Sequence, residues 1–231
     1  MRFFLAFLLF LGVGCETPKN EPPQVTSSKK RPEAASAPEN QIQQVVGVQH
    51  LVIDREEPIL PMGVQASGRV VAVATWQESN GEHLLVQSIR EEAWKEDTRS
   101  AYLYGYHFLK TGNTYTQQWK IQDFVKECPV DITLEYLPDS PKVEDLDGDG
   151  QAETLLLYTL ACKGDVSPDD MKLILHKGQT KYAIRGTRGL RIQGKLAEKP
   201  DMRVDASLKN APVALQKAAV NWWKTNEMQR Y

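Results

Sequence analysis

The sequence lacks an excess of positive charge. Its 231 residues include 28 lysines and arginines against 30 aspartates and glutamates, which gives a formal net charge of -2. Because proteins that bind nucleic acid normally present a basic face, this balance gives no support to that class, and nucleic acid is not an expected partner. With 41% hydrophobic residues, the chain has the composition of an ordinary globular protein.

The sequence also lacks the short motifs that mark common hydrolases and nucleotide-binding enzymes. HExxH, GxSxG and P-loop patterns are absent, and the four histidines form no local pattern. We therefore predict a non-catalytic protein. The two carboxylates of a glycosidase have no sequence signature of their own, so an envelope hydrolase stays as a second alternative.

One hydrophobic run opens the chain. Residues 3–13 are apolar and follow Arg2; this run is too short to span a bilayer and is typical of a secretory signal peptide. It ends at Gly14 and Cys15, which resemble the lipobox of bacterial lipoproteins, although Leu11 lies four residues before the cysteine instead of the usual three. We predict a signal peptide over residues 1–14 and lipidation of Cys15. The alternative is an ordinary secretory signal in which Cys15 is incidental.

A proline-rich segment follows the signal. Residues 15–42 contain five prolines and almost no large apolar side chains, so the segment cannot bury enough surface to offset its chain entropy. We predict a disordered tether that gives the folded part reach from a membrane. The expected location is the bacterial cell envelope, as a membrane-anchored lipoprotein of the outer membrane that faces the periplasm or the surface.

The remaining chain, residues 43–231, is predicted to form a single β-rich domain. Strand patterns cover residues 46–54 and 153–162. Hairpins are predicted over residues 69–89, 101–121 and 171–186, and their turns lie near Asn80 and Gly81, Gly112 and Asn113, and Lys177 and Gly178.

The C-terminal segment changes its hydrophobic period. A helix is predicted over residues 211–229, because Pro212 suits a first turn and one face carries Leu215, Ala218, Ala219, Trp222 and Trp223. The predicted fold class is therefore mainly β, a β-rich α+β domain in which antiparallel hairpins are closed by one C-terminal helix.

Cysteine is scarce, and its count fits export. If Cys15 carries lipid, Cys128 and Cys162 remain, and an even number outside the cytoplasm favours a disulfide. Such a bridge would close about 35 residues and stabilise the fold by roughly 4 kcal/mol in the chain-entropy model. The alternative is two buried thiols that never meet.

The segment DLDGDGQAE, residues 145–153, concentrates negative charge. Asp145, Asp147 and Asp149 occupy loop positions 1, 3 and 5; the backbone carbonyl of Gln151 lies at position 7, and Glu153 lies at position 9. Hard oxygen ligands at this density suit Ca²⁺, so we predict a structural calcium site. Position 12 is Leu156, not glutamate, so the segment is not an EF-hand. It resembles the strand-loop-strand calcium loop of integrin-type extracellular β-repeat proteins. The alternative is a solvated polar turn.

Aromatic residues alternate along one predicted strand and share a face: Tyr102, Tyr104, Tyr106 and Phe108. Tyr115 and Trp119 on the partner strand are predicted to join them. Such a face could stack on sugar rings, which makes a glycan-binding module the first alternative function, but packing against the core is the preferred interpretation.

A second acidic turn contains Asp165, Ser167, Pro168, Asp169 and Asp170. The sequence suggests a supporting role for it beside the calcium loop, and a solvated turn is the preferred interpretation.

Several segments together resemble one family of bacterial envelope lipoproteins. The segments are CPVDI (residues 128–132), DLDGDG (145–150), GDVSPD (164–169) and KYAIRG (181–186). The family is described as surface polysaccharide biosynthesis proteins, and the resemblance covers the folded domain. It implies a link to surface polysaccharide or lipopolysaccharide. Together with the absence of catalytic motifs, this leads us to predict a non-catalytic accessory in the production or display of that glycan, with polysaccharide or other envelope proteins as partners. It implies no active site.

Overall fold

The structure, a computed structural model, describes residues 47–231. The predicted signal peptide (residues 1–14), the predicted tether (residues 15–42) and Cys15 lie outside the described residues, as do residues 43–46 at the start of the predicted domain. Neither helix in the described range is long and apolar enough to cross a membrane.

The first sheet is an antiparallel meander in chain order. Its strands are β1 (Gln49–Asp54), β2 (Arg69–Glu78), β3 (Gly81–Glu91), β4 (Arg99–Thr111) and β5 (Thr114–Cys128). Residues 112 and 113 form the turn between β4 and β5, as predicted, and Gly112 has a φ of +59°. The turn between β2 and β3 uses residues 79 and 80, one position earlier than predicted, because Glu78 pairs with Gly81.

Nine further strands follow in the described range. They are β6 (Ile132–Tyr136), β7 (Lys142–Glu144), β8 (Glu153–Cys162), β9 (Asp170–Lys177), β10 (Thr180–Thr187), β11 (Gly189–Ile192), β12 (Lys195–Glu198), β13 (Asp201–Val204) and β14 (Met228–Arg230). The second sheet has the order β13-β10-β9-β8-β6, and β7 also pairs with β8. A small third sheet has the order β12-β11-β14, in which β11 and β14 are parallel.

Two helices lie near the C-terminus, α1 (Ala206–Lys209) and α2 (Val213–Asn226). Pro212 is the N-cap residue of α2, which ends three residues before the predicted position 229, because the chain re-enters the third sheet as β14. Leu215, Ala219 and Trp223 of α2 are fully buried against the outer face of the second sheet. The predicted mainly β architecture with one long C-terminal helix is confirmed.

The main core lies between the two large sheets. Leu103 and Ile121 of the first sheet share it with Leu156 and Ile174 of the second. Gly105 of β4 allows this close approach, because a Cβ atom there would lie 2.8 Å from Leu156 Cδ1. The described domain is therefore a sandwich, with the helices on its second sheet and Leu60, Val64 and Ala66 on the outer face of the first.

Candidate functional site

The aspartate loop connects β7 to the first residue of β8. Asp145 organises it: its Oδ1 accepts hydrogen bonds from the backbone N–H groups of Gly148 (2.8 Å) and Asp149 (3.1 Å), and its Oδ2 accepts one from Gly150 (2.9 Å). Gly150 has a φ of +87°, so glycine at position 6 meets the requirement of the sharp bend. Calcium loops and polar turns share this local geometry, so the positions of the other carboxylates decide between them.

The three aspartates converge on one point. Asp145, Asp147 and Asp149 each place a carboxylate oxygen within 4.8 Å of the others. Two oxygens on opposite sides of a calcium ion are about 4.6–5.2 Å apart, because each Ca–O bond is about 2.3–2.6 Å long. A carboxylate has about four acceptor sites, so Asp145, which uses three, keeps one for a cation. The arrangement therefore fits a hard divalent cation.

Glu153, predicted as the ninth-position ligand, is fully buried. Its Oε2 accepts a hydrogen bond from the Leu146 N–H (2.8 Å), while its Oε1 has no hydrogen-bond partner among residues 47–231. Burial, together with the charges of Asp147 and Asp149, raises the pKa of Glu153 to about 7, although the Leu146 N–H and Lys177 oppose this. A buried carboxylate oxygen without a partner is costly, so the loop is poised to receive a positive charge there.

Lys177, the last residue of β9, supplies one positive charge. Its Nζ contacts Asp147 Oδ2, lies 2.7 Å from Asp149 Oδ2, and lies 3.6 Å from Glu153 Oε1. The sheet register explains this position, because Lys177 is the cross-strand partner of Glu153. Partial burial lowers the pKa of Lys177, but its bonds to Asp147 and Asp149 outweigh that and raise the pKa above its ordinary value. One ammonium against four carboxylates leaves a formal excess of negative charge.

Gln151 is exposed, and its backbone N–H donates to Asp149 Oδ1 (2.9 Å). The next residue, Ala152, donates its N–H to Glu78 Oε1 on the first sheet (2.9 Å). Leu156, at position 12, lies inside β8 and is fully buried, which agrees with the prediction that the loop is not an EF-hand. The loop therefore sits between the two sheets at one end of the sandwich.

A cluster of histidines and tryptophans lies beside the loop, and sequence reasoning missed it. His83, His107 and His176 are buried, and they pack against Trp76 and Trp119 at ring-centroid distances between 3.9 and 5.4 Å. Together with Glu78, Gln151 and Ala152, they line a cleft of about 80 Å³. The aspartate loop thus forms part of the wall of this cleft.

Hydrogen bonds fix the tautomers of two of these histidines. His83 Nε2 lies 2.7 Å from Asn80 Oδ1 and 3.4 Å from a Glu78 oxygen, so it carries the proton between two acceptors. His83 Nδ1 is then the acceptor for His107 Nε2 (2.9 Å), which must carry a proton in turn. His107 Nδ1 is left with a free lone pair and no partner in the described part of the chain.

These histidines are held neutral. Burial lowers the pKa of His107 to about 3, with help from His83 and His176, and burial lowers the pKa of His176 to about 4. Burial also lowers the pKa of His83, although Glu78 opposes the shift. The cluster therefore carries no positive charge near neutral pH and does not neutralise the aspartate loop.

The predicted aromatic face is packed. Tyr104, Tyr106 and Phe108 are no more than 7% exposed, whereas Tyr102 and Tyr115 are partly buried. The Lys120 ammonium covers two of the rings, at 4.9 Å from the centroid of Tyr104 and 5.2 Å from that of Tyr106. These buried rings offer no open platform for a sugar ring.

Trp119 does not belong to that face, which corrects the sequence prediction. A register shift in the β4–β5 pairing pairs Trp119 with His107, so its ring lies on the inner side with His107 and His176. The bulge moves the side chain to the other face of the sheet, since side chains alternate with a period of two.

The second acidic turn does not support the aspartate loop. Asp169 is buried at the opposite end of β9, where it pairs with Lys163 (2.5 Å) and accepts a hydrogen bond from Gln229 Nε2 (2.5 Å). Asp165 is exposed and accepts a hydrogen bond from Ser167 (2.8 Å). Asp170, the last residue of this turn, is the first residue of β9 and Lys177 is its last, so about 23 Å of strand separates them at 3.3 Å per residue. The turn therefore does not support the loop, and the preferred interpretation of a solvated turn holds for exposed Asp165 but not for buried Asp169.

Cys128 and Cys162 form a disulfide, with Cα atoms 5.7 Å apart. They are the last residues of β5 and β8, so the bond links the two large sheets. This part of the sequence prediction is confirmed.

Comparison of the chain with protein-family models, with curated proteins and with solved structures finds no match.

Proposed function

We propose that this chain is a lipid-anchored protein of the bacterial cell envelope, with a β-sandwich stabilised by one structural Ca²⁺ in the aspartate loop. It acts as a non-catalytic accessory in the production or display of surface polysaccharide. The observation that carries the calcium assignment is the buried Oε1 of Glu153, which has no hydrogen-bond partner within the described range and faces the same ammonium as Asp147 and Asp149.

The position of the loop supports a structural role for the ion. The loop leads directly into β8, an inner strand of the second sheet, and Ala152 ties it to Glu78 on the first sheet. A bound cation would replace repulsion among four carboxylates by about six to eight oxygen contacts, and so would hold the start of β8 in place. The ion would not meet a substrate there.

The envelope assignment rests on three features. The apolar run before Cys15 supports export and lipidation, and the disulfide fits an oxidising compartment. The segments that resemble surface polysaccharide biosynthesis lipoproteins support the link to a glycan. Burial of Tyr104 and Tyr106 leaves no basis for a glycan platform on the β4 face, so glycan binding there is not proposed.

A calcium titration of thermal stability tests the ion. Calcium at ten times its dissociation constant should add about 1.4 kcal/mol of stability, which for a chain of this size is about 3–6 °C in Tm. Asp147→Asn should remove the shift, because it deletes a charge and keeps the side-chain shape. The matched control is Asp165→Asn in the remote acidic turn, which should keep the full shift. A Tm that does not change at millimolar calcium would contradict the calcium site and would support the alternative of a polar turn without a bound ion.

Lipidation is tested by Cys15→Ser. This variant should leave the membrane fraction and should fail to incorporate labelled fatty acid, because it lacks the sulfur that receives the acyl group. Membrane partition equal to that of the wild type would contradict the lipoprotein assignment.

A further inference from the structure

We infer that Lys177 is a tethered competitor for the cation of the aspartate loop: its ammonium takes the cation position when calcium is low and leaves when calcium binds. This inference rests on the proposed calcium site and assigns its regulation. The loop would then exchange a built-in monovalent cation for a divalent one.

The ammonium lies against two of the three clustered aspartates, Asp147 and Asp149, and Asp145 is not among its contacts in the described residues. Nζ contacts Asp147, lies 2.7 Å from Asp149 and is 3.6 Å from Glu153, three of the predicted ligands. A calcium ion with Ca–O bonds of about 2.3–2.6 Å to the same oxygens would occupy nearly the same volume. The ammonium and the ion therefore cannot be bound together.

The lysine satisfies the loop incompletely. The Lys177 ammonium has three N–H donors, and its two short contacts are to Asp147 and Asp149. Glu153 Oε1, at 3.6 Å from Nζ, is beyond hydrogen-bond distance, and Asp147 Oδ1 is also buried with no partner in residues 47–231. These two oxygens are the ones that a divalent ion would gain as ligands. Because calcium can coordinate these two unpartnered oxygens and the ammonium does not, calcium can displace the lysine.

The lysine has a route out. Lys177 ends β9, directly before the Gly178 and Gln179 turn, and its side chain is 27% exposed. Its four-carbon stem can swing towards solvent without breaking a backbone hydrogen bond of the sheet. Exchange therefore needs a side-chain rotation and no unfolding of the strand.

Two consequences follow. The loop should stay folded when calcium is absent, because Lys177 neutralises part of its charge. Calcium should also bind more weakly than the ligand set alone would allow, because each binding event must expel the ammonium.

The first experiment measures calcium affinity by titration calorimetry on the full chain. Lys177→Met should lower the dissociation constant at least tenfold, because it keeps the apolar stem and removes the competing charge. The same variant should have a lower Tm than the wild type without calcium. The matched control is Lys172→Met on the same strand, which breaks an ion pair with Asp123 (2.6 Å) away from the loop and should leave the affinity unchanged.

The second experiment follows the lysine itself and needs no variant. Amine acylation with peptide mapping should show slow labelling of Lys177 without calcium and labelling at least fivefold faster in saturating calcium. Labelling of Lys172 should not change. This measurement holds even if Lys177→Met fails to fold.

The outcomes separate the inference from the proposed calcium site. Equal calcium affinity in wild type and Lys177→Met, with no change in labelling, overturns the inference and leaves the site standing. If Lys177→Met binds calcium and the wild type does not, the competition by Lys177 is supported and calcium binding by the natural chain is overturned. No binding by either protein overturns both.

Discussion

At the scale of single residues, buried titratable groups dominate one end of the sandwich. Glu153 is 0% exposed and keeps an unpartnered oxygen within the described range, while His107 and His176 are buried and neutral. Glu153 and the two histidines change the stability of the fold in opposite directions as the pH changes. The raised pKa of Glu153 favours the fold at low pH, whereas the lowered pKa values of the histidines favour it at high pH.

The histidines predict acid sensitivity. An unfolded histidine titrates near pH 6.5, but in the folded protein burial lowers the pKa to about 3 for His107 and about 4 for His176. The unfolded chain therefore binds protons first as the pH falls. The stability that these groups contribute is complete above about pH 6.5 and declines until the pH reaches about 4 for His176 and about 3 for His107.

His176→Phe isolates one of them. The phenyl ring should keep the stack on Trp119, where the centroids lie 3.9 Å apart, and should remove one titrating group. Between pH 6 and pH 4, the slope of the free energy of unfolding should fall by about 1.4 kcal/mol per pH unit. Urea unfolding at several pH values measures it. His50→Asn, at an exposed position with a φ of +53°, is the control. An unchanged slope in His176→Phe would contradict the buried neutral state.

The sequence predicted the clustering of carboxylates in the aspartate loop but not the neighbours of the loop. Asp145 to Glu153 form a local pattern within nine residues, whereas Lys177 reaches the loop only through its pairing with Glu153 across β8 and β9. His83, His107 and His176 lie on three strands of two different sheets. Their meeting depends on how the sheets pack, which no short-range pattern encodes.

At the scale of the elements, β4 carries the most regular feature of the fold. Tyr102, Tyr104, Tyr106 and Phe108 form a ladder with neighbouring ring centroids 6.0–6.4 Å apart. The Tyr106 hydroxyl accepts a hydrogen bond from the Ser67 N–H (3.1 Å), which ties the covering segment to the strand. The ladder is thus a second core on the outer face of the first sheet.

Tyr104→Ala should therefore destabilise the fold by about 3–5 kcal/mol, the usual cost of truncating a buried aromatic residue. Tyr102→Ala, at the partly buried end of the same ladder, should cost clearly less. Chemical denaturation of the two variants gives the comparison. Equal and small losses would mean that the face is open and would restore the glycan-platform alternative.

The long hairpins were predictable, but the short strands were not. Gly112 and Asn113 encode their turn locally, and the apolar run of β8 marks a strand that is buried on both faces. In contrast, β7 and β14 have three residues each and exist only because β8 and β11 provide partners. The end of the predicted helix was wrong for the same reason, since β14 takes residues that continue the helical pattern.

At the scale of the whole molecule, β8 is fixed at both ends. Its first residue, Glu153, belongs to the aspartate loop, and its last residue, Cys162, is joined to Cys128 of the first sheet. The disulfide closes a segment with a sequence separation of 34, which restricts the unfolded chain. The two sheets are thus held together covalently at one point and by the core elsewhere.

The double variant Cys128→Ser and Cys162→Ser should lose roughly 4 kcal/mol of stability by the chain-entropy model. A reducing agent should bring the wild type close to the same value. Non-reducing peptide mapping of exported protein should show the Cys128–Cys162 cross-link. Two thiols that can be alkylated in the folded, oxidised protein would count against the bond.

The central claim is that the aspartate loop holds one calcium ion, and equilibrium dialysis of the full chain with calcium counts it directly. We expect one ion per chain, with a dissociation constant of roughly 10⁻⁴–10⁻³ M as in extracellular calcium modules, and no bound ion in Asp147→Asn. Absence of bound calcium from the wild type at millimolar concentration would contradict the calcium site and would leave Lys177 as the permanent counter-charge of an acidic turn.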